Sequence, residues 1–437
     1  TDGTILFAPG ANSPLFRVPA SGGVAVVVTK LEASHQSSHR FPQFLPDGRH
    51  FLFGATGDDD GYGIYVASLI GGDVKRVSGP EYPFPAAYIK PDLLVFVRED
   101  VLMAQRLDTG RWELRGEPAP VAKPVGADNN QYGFSVSSDG RLAYRAGGTQ
   151  LVWFDRKGNV VDVATQPETV YLAYPDLSPD DRRVAVSRRV EGNLDIWLID
   201  LDRGALSRLT FDAQHDWIPV WSPDGTRIAF TRGDRRDVYV KPSNGAGTEE
   251  LLFQTSNAKI LQHWSKGGRF LLYQEIAPKT RRDLWALEIT GSERKPLMVA
   301  NTMFDERNGQ FSPDGRWVAY ETNESSRFEI VVQPFPEPTG KWQVSTNGGF
   351  QPRWRADGKE LYFIAPDETL MAVPVTVWGS TFEAGKPAVL FQTRIVAGSD
   401  SSKPQYAVSR DGKFLINMPA LENAPITLIL NWKPPPK

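Results

Sequence analysis

The sequence predicts an all-β chain of four-stranded antiparallel blades, a β-propeller, with a complete six-bladed ring plus part of a second ring. Three observations predict it. A ten-residue pattern, WSPDGTRIAF at 221–230, reads apolar strand, Ser-Pro-Asp-Gly turn, apolar strand. The pattern recurs along the chain with a period in the forties. Short apolar runs punctuated by 39 Gly and 34 Pro in 437 residues leave almost no helical periodicity.

The turn chemistry explains why the pattern is a hairpin. Pro presets φ at the first corner, Asp accepts a hydrogen bond from the backbone two residues on, and Gly supplies positive φ. Copies stand at FLPDGRHFLF, YIKPDLLVFV, FSVSSDGRLAY, LSPDDRRVAV, WSPDGTRIAF, WSKGGRFLLY, FSPDGRWVAY, WRADGKELYF and VSRDGKFLIN. Their turn positions are 47, 92, 139, 180, 224, 267, 314, 357 and 411. Ankyrin, tetratricopeptide and HEAT-type repeats need helices at such periods, whereas propeller blades need only short strands.

Each period also holds two further strands. DIWLID, DVYVKP and DLWALEI follow the hairpins as Asp-led third strands, and LSRLTF, EELLF and KPLMVA follow as outer strands. Second and third strands lie between neighbouring blades, which accounts for their near-continuous apolar runs.

Six regular units run from the turn at 180 to that at 411, so residues 165–437 are expected to form the complete ring. The last unit offers inner, second and third strands at 406–409, 413–417 and 426–432, and then Pro434-Pro435-Pro436. Proline cannot donate to a ladder, so the missing outer strand is expected from Leu151 to Val163. Residues 1–164 hold four units, the first without its inner strand, and read as an incomplete N-terminal propeller. One ring of nine or ten blades is the alternative, decided by which ring the turns at 139 and 180 join.

Composition bounds the function. The net charge of -3 gives no reason to expect nucleic acid as a partner. With no cysteine there are no disulfides, thiolate metal sites or Cys nucleophiles. No 18-residue apolar run spans a membrane. Thr1 is not a start residue, and the chain reads as part of something longer.

The aspartates that open third strands (Asp195, Asp237, Asp283, with Glu329 as a variant) recur once per blade, as do the turn aspartates, and repetition marks a scaffold group. Gly57-Asp58-Asp59-Asp60-Gly61 clusters carboxylates without the order of an EF-hand loop, so a solvated turn is expected there rather than calcium. His35 and His39 lie four apart in a loop. No G-x-S-x-G elbow, G-x-G-x-x-G or Walker loop occurs. No cofactor and no metal are expected, and no catalytic residue is assigned.

What remains is the ring mouth, where inner strands begin. Tyr174, Asp176, His215, Asp216, Trp217, His263, Arg307 and Arg353 form the candidate ligand-binding set, because loops on a rigid scaffold carry recognition. The alternative for each is a role in lacing neighbouring blades. His215 and His263 with a carboxylate such as Asp216 or Asp305 would be the machinery of a propeller enzyme, a lyase or glycoside hydrolase.

WSPDGTRIAF followed by DVYVKP, and LSPDDRRVAV followed by DIWLIDL and LSRLTF, resemble TolB-type propeller repeats over nearly the whole chain. GTILFAP, SHRFPQFLPDGRHFLF, QLVWFDRKGNVV, FDERNGQFSPDGRWVAY, KWQVSTNGG and PITLILNW resemble the extracellular sensor half of bacterial membrane-anchored serine/threonine kinases, of the sort abundant in Acidobacteria. In that family a cytoplasmic kinase domain and one membrane helix precede the propeller region. This chain has no kinase Gly-rich loop and no H-R-D or D-F-G element, so kinase activity is not assigned to these residues. The resemblance implies a non-catalytic binding or sensor module, extracytoplasmic and tethered to a membrane upstream, for a protein, small-molecule or glycan ligand. A TolB-like envelope scaffold is a third reading.

Overall fold

The computed structural model describes residues 3–10, 13–32, 35–57, 61–72, 74–79, 85–98, 100–128, 131–137, 139–168, 170–233, 236–277, 280–291, 293–379, 381–396, 403–420 and 426–430. Among them every regular element is a strand, and every strand pairing is antiparallel. The Asp cluster at 58–60 lies outside the described residues.

The chain divides into two compact units, 1–148 with 421–437 and 149–420. The turn at 139 belongs to the first unit and the turn at 180 to the second. The boundary thus falls at 148/149, and the second unit ends at 420, where a span of 165–437 was expected.

The second unit is a set of six sheets. Five follow the order read from the repeat, with inner strands Leu172–Leu177, Asp216–Trp221, Ala258–Trp264, Glu306–Phe311 and Phe350–Trp354. The sixth is assembled from both ends of the unit: Tyr406–Val408, Phe414–Pro419, then Thr149–Phe154 and Val160–Val163. Each inner strand neighbours the next, and Tyr406–Val408 neighbours both Phe350–Trp354 and Leu172–Leu177, so the circuit closes.

This closure corrects one expectation. The segment upstream of the ring supplies two strands rather than one, and Ile426–Ile429 is not the third strand of the last blade. It pairs instead with Leu142–Arg145 in the first unit. Burial gives the reason. A third strand packs on both faces, and Leu151 and Val152 are buried there, whereas Ile426 and Leu428 are exposed and suit a sheet edge.

The Ser-Pro-Asp-Gly turn is held by a small repeated network. Ser222 Oγ accepts the Arg227 N–H at 2.9 Å and donates to Asp224 Oδ1 at 2.6 Å, and Asp224 Oδ1 accepts the Thr226 N–H at 3.0 Å. Ser178–Asp180, Ser312–Asp314 and Ser409–Asp411 repeat the contact between the two side chains. Hydrogen bonds from Ser222 and Thr226 hold the Asp224 carboxyl down at about 2. Third-strand acids are also scaffold: buried Asp195 pairs with Arg208 at 2.7 Å, and Glu329 accepts the Gly348 N–H at 3.0 Å.

Inner strands carry a β-bulge that the repeat did not announce. Register breaks fall at Ala173/Asp176, Trp217/Val220, Leu261/His263, Arg307/Gln310 and Phe350/Arg353. In four of these bulges a non-glycine residue takes left-handed backbone, with φ of 60° at Tyr174, 58° at Ile218, 53° at Asn308 and 56° at Gln351. Such a bulge turns an amide away from its own ladder, so a neighbouring sheet must accept it.

If Thr149–Phe154 closes the ring, truncating its buried face destabilises the whole unit. Leu151→Ala should cost about 2–4 kcal/mol, read as a lowered denaturant midpoint for the 149–420 unit. Leu428→Ala, on an exposed edge of the first unit, should leave that midpoint unchanged.

Candidate functional site

The orientation of the strands defines two ends of the second unit. Inner strands begin, and second strands pass into third strands, at one end; the Ser-Pro-Asp-Gly turns lie at the other. The candidate residues divide between the first end and the wall along the axis.

Two sets of hydrogen bonds join adjacent sheets along that wall. In the first, the amide of the bulge residue is accepted by a neighbouring sheet: Ile218 N–H by Ser187 Oγ at 2.9 Å, Gln351 N–H by Glu321 Oε1 at 2.6 Å, and Tyr174 N–H by Gln405 Oε1 at 3.1 Å. In the second, the residue before the terminal apolar position of an inner strand accepts an amide from the next inner strand. Asp176 Oδ2 takes the Trp221 N–H at 2.8 Å, His263 Nδ1 the Phe311 N–H at 3.2 Å, and Gln310 Oε1 the Trp354 N–H at 2.7 Å. Asp176 and His263 therefore lace blades.

The same holds for two other candidates. Asp216, fully buried, accepts from Arg232 through both oxygens, at 2.7 and 2.9 Å. Burial pushes its carboxyl up, and the Arg232 hydrogen bond and charge oppose that shift. Arg307, also buried, donates through Nε to Glu321 Oε2 at 2.6 Å, and its guanidinium lies 3.8 Å from the centre of the Phe328 ring. His215 Nδ1 lies 3.2 Å from the Leu194 amide nitrogen and 2.9 Å from Asn193 Oδ1. The structure does not bring His215, His263 and Asp216 into one constellation, and among the described residues no three His, Asp or Glu side chains form a metal-holding group.

Tyr174 and Trp217 remain half-buried at the mouth, and the structure adds residues around them that sequence reasoning missed. Arg236, from the connection between second and third strands, lies 5.3 Å from the Trp217 ring centre, and the Trp217 indole meets His215 edge-on at 5.7 Å. Arg189 lies 5.6 Å from the Tyr171 ring centre, and the Tyr171 and Tyr174 side chains are hydrogen-bonded. Burial lowers the Arg282 guanidinium, and the like charges of Arg307 and Arg236 lower it further, while Asp305 and Glu321 oppose them. Arginines from adjacent sheets thus converge with Tyr and Trp faces on one mouth.

Deeper on the axis is a second cluster. Lys403, ahead of the sixth inner strand, is fully buried. Its Nζ donates to the Pro219 carbonyl of the second sheet and lies 3.7 Å from Asp176 Oδ1 of the first. Burial brings its pKa down to about 8. Arg353, 5% exposed, donates through Nε to the Tyr406 carbonyl at 3.2 Å, while its Nη2 is buried without a hydrogen-bond partner. His263 is held neutral, near 3, by burial first and then by the charge of Arg353.

With this geometry established, comparison with known proteins places the repeat. Residues 135–333 match the family model described as the TolB beta propeller domain, PD40. Over that stretch, under half of the chain, the sequence is similar to a TolB-type propeller domain. An uncharacterized protein of Agrobacterium fabrum is 29% identical over 117 residues, covering 24% of this chain and 40% of that protein. A tricorn protease homolog of Streptomyces coelicolor is 31% identical over 125 residues, covering 28% of this chain and 11% of that protein. The chain thus spans less than half the length of either relative. Among solved structures, the putative TolB from Agrobacterium tumefaciens aligns over 62% of this chain and 98% of its own, with 18% identity and a TM-score of 0.46.

One buried carboxyl in the 149–420 unit gives a pH signature. Glu306, 1% exposed, accepts from the Thr302 hydroxyl and amide, and burial pushes it up to about 7. Between its ordinary value and about 7 the native state binds a proton that the unfolded chain has lost, so stability falls as pH rises through that window. Glu306→Gln removes the slope. Urea midpoints should show the variant gaining on the parent between pH 5 and pH 8 by on the order of 1–2 kcal/mol, after allowance for solvent screening.

Proposed function

We propose that this chain is a non-catalytic propeller module that binds a ligand at the mouth of the 149–420 unit. The observation that carries the reading is the convergence of Arg189, Arg236 and Arg282 with Tyr171, Tyr174 and Trp217 at the end where connections between strands cluster. Aromatic faces and guanidinium groups give a rigid surface with large contact area and directional donors. The Asp216–Arg232 and Arg307–Glu321 pairs, satisfied within the fold, keep that surface in place.

The enzyme alternative has less support. His263 spends its Nδ1 on a backbone amide, and Asp216 both its oxygens on Arg232. A general base needs reach to a substrate proton, and these groups are already engaged. We further propose that the module is the extracytoplasmic sensor region of a bacterial receptor-type serine/threonine kinase. What supports this is the resemblance of the quoted stretches, from GTILFAP to PITLILNW. Ligand occupancy at the mouth would then bias a membrane segment upstream.

A thermal-shift screen of the chain against peptides, oligosaccharides and cell-wall fragments tests the reading, because a ligand selective for the native state raises its melting temperature. A hit should be lost in Trp217→Ala and in Arg236→Ala. A hit that survives both substitutions, or one that is turned over, would overturn the mouth-binding assignment.

A further inference from the structure

We infer that the first unit binds an acidic monosaccharide in a pocket walled by Arg49, Ser68, Lys75 and Trp112, a site distinct from the mouth of the 149–420 unit. The pocket measures about 170 Å³. It lies where the sheet of Gln36–Phe44, His50–Gly57, Gly63–Ser68 and Lys75–Ser78 meets the next sheet, at the connection between Val101–Asp108 and Glu113–Ala122. Both sheets belong to the first unit.

The repeat shows what is unusual about Arg49. A basic residue commonly stands directly after the turn, and in four copies of the second unit its side chain is paired within its own repeat. Arg182 meets Asp202 at 2.8 Å, and Arg269 meets Glu288 at 2.7 Å. Arg316 meets Asp314, and Lys413 meets Asp411, each at 2.7 Å. Arg49 has neither kind of partner. By register His50 faces Ser68 as Phe270 faces Glu288, so Ser68 stands where a carboxylate receives Arg269. Arg49 Nε donates to Ser68 Oγ at 3.2 Å. The turn carboxylate is committed elsewhere: Asp47 Oδ1 accepts the Arg49 and His50 amides, each at 2.9 Å, and Oδ2 is bonded to His50 Nδ1. Among the described residues Arg49 forms no ion pair, and its exposed Nη1–Nη2 edge is left to solvent.

The other walls select the ligand. Trp112 takes left-handed backbone, with φ of 56°, which a bulky side chain rarely adopts, although Gly110 stands two residues earlier. Its ring lies 5.2 Å from the His50 ring, and both line the pocket. Lys75 ties the two sheets together through Glu113 Oε1 at 3.3 Å and through the Arg111 carbonyl. A Cβ on Gly71 or Gly72 would meet no atom within 4 Å, so open space lies over their backbone. An indole suits the apolar face of a sugar ring, Ser68 and the bare backbone suit its hydroxyls, and the guanidinium fork suits a planar carboxylate. The volume is below the ~300–1,000 Å³ of sites for drug-sized ligands, so a single ring is the fit.

Sodium glucuronate is the probe. Isothermal titration of the chain at pH 7, against glucose and against sodium acetate at matched ionic strength, should give saturable binding with glucuronate alone. Ser68→Glu puts back the carboxylate that pairs Arg269, and should weaken glucuronate about tenfold, a change of about 1.4 kcal/mol, without lowering the melting temperature. Arg49→Gln should weaken it to the same degree. Trp217→Ala should leave glucuronate binding unchanged, which separates this site from the mouth reading. If Arg49→Gln fails to fold by its thermal melt, Ser68→Glu carries the test. Absence of saturable glucuronate binding, equal binding of glucose or acetate, or undiminished binding in a folded variant would overturn the assignment.

Discussion

A backbone amide turned out of its own sheet is the constraint on which the 149–420 unit depends. Five of the six inner strands bulge, and the amides at Tyr174, Ile218 and Gln351 leave their ladders for acceptors on a neighbouring sheet. An unpaired buried amide costs about 1–3 kcal/mol, so the first, second and fifth sheets are not satisfied without a neighbour. Apolar packing between second and third strands is shared in the same way, as in the cluster of Ile218, Val220, Val238, Ile260, Leu261 and Leu271. The left-handed φ at these bulges is tolerated because the surrounding contacts over-determine it.

That dependence explains closure. A ring left open at the sixth sheet would expose the edge of Phe414–Pro419 and leave Gln405, the acceptor for Tyr174, without its place beside the first sheet. Thr149–Phe154 covers the edge, and Asn417 bridges Gln405 Oε1 at 3.0 Å to the Leu172 carbonyl at 2.9 Å. The strand that comes first in the unit thus holds the strand that comes last, and the two ends of the unit meet within one sheet.

Local chemistry was legible in the sequence and long-range pairing was not. The Ser-Pro-Asp-Gly turn announces itself because all its partners lie within five residues, as with Ser222, Asp224 and Arg227. Third-strand aspartates were legible as scaffold through repetition alone. Nothing local told Leu151–Phe154 from Ile426–Ile429 as the third strand of the last blade; both are apolar runs, and only burial on two faces separates them. The candidate site was half legible. The sequence marks polar residues near the inner strands, but Asp176, Asp216 and Arg307 are consumed by bonds between or within sheets. One signal was available and unread: the residue that follows each second-strand apolar triplet, Ser187, Thr231, Gln274, Glu321, Ile364 and Asn417, is polar in five of six repeats. Lys403 carried no signal, since it precedes its strand in an irregular stretch.

Repetition sets the scaffold, so a site has to come from where the repeat is broken. A group present in every sheet serves every interface alike and cannot single out one place on a six-fold wall. The position shared by Asp176, Val220, His263, Gln310, Arg353 and Ala407 shows the break. Three members accept the next strand's amide, two are too apolar to do so, and one is a cation. Arg353 at this position donates to the next strand instead, through Nε to the Tyr406 carbonyl, and its buried Nη2 has no hydrogen-bond partner. Evolution of a new function on such a scaffold therefore need not alter a blade. It needs one lacing acceptor exchanged for a donor that the neighbouring strand satisfies only in part.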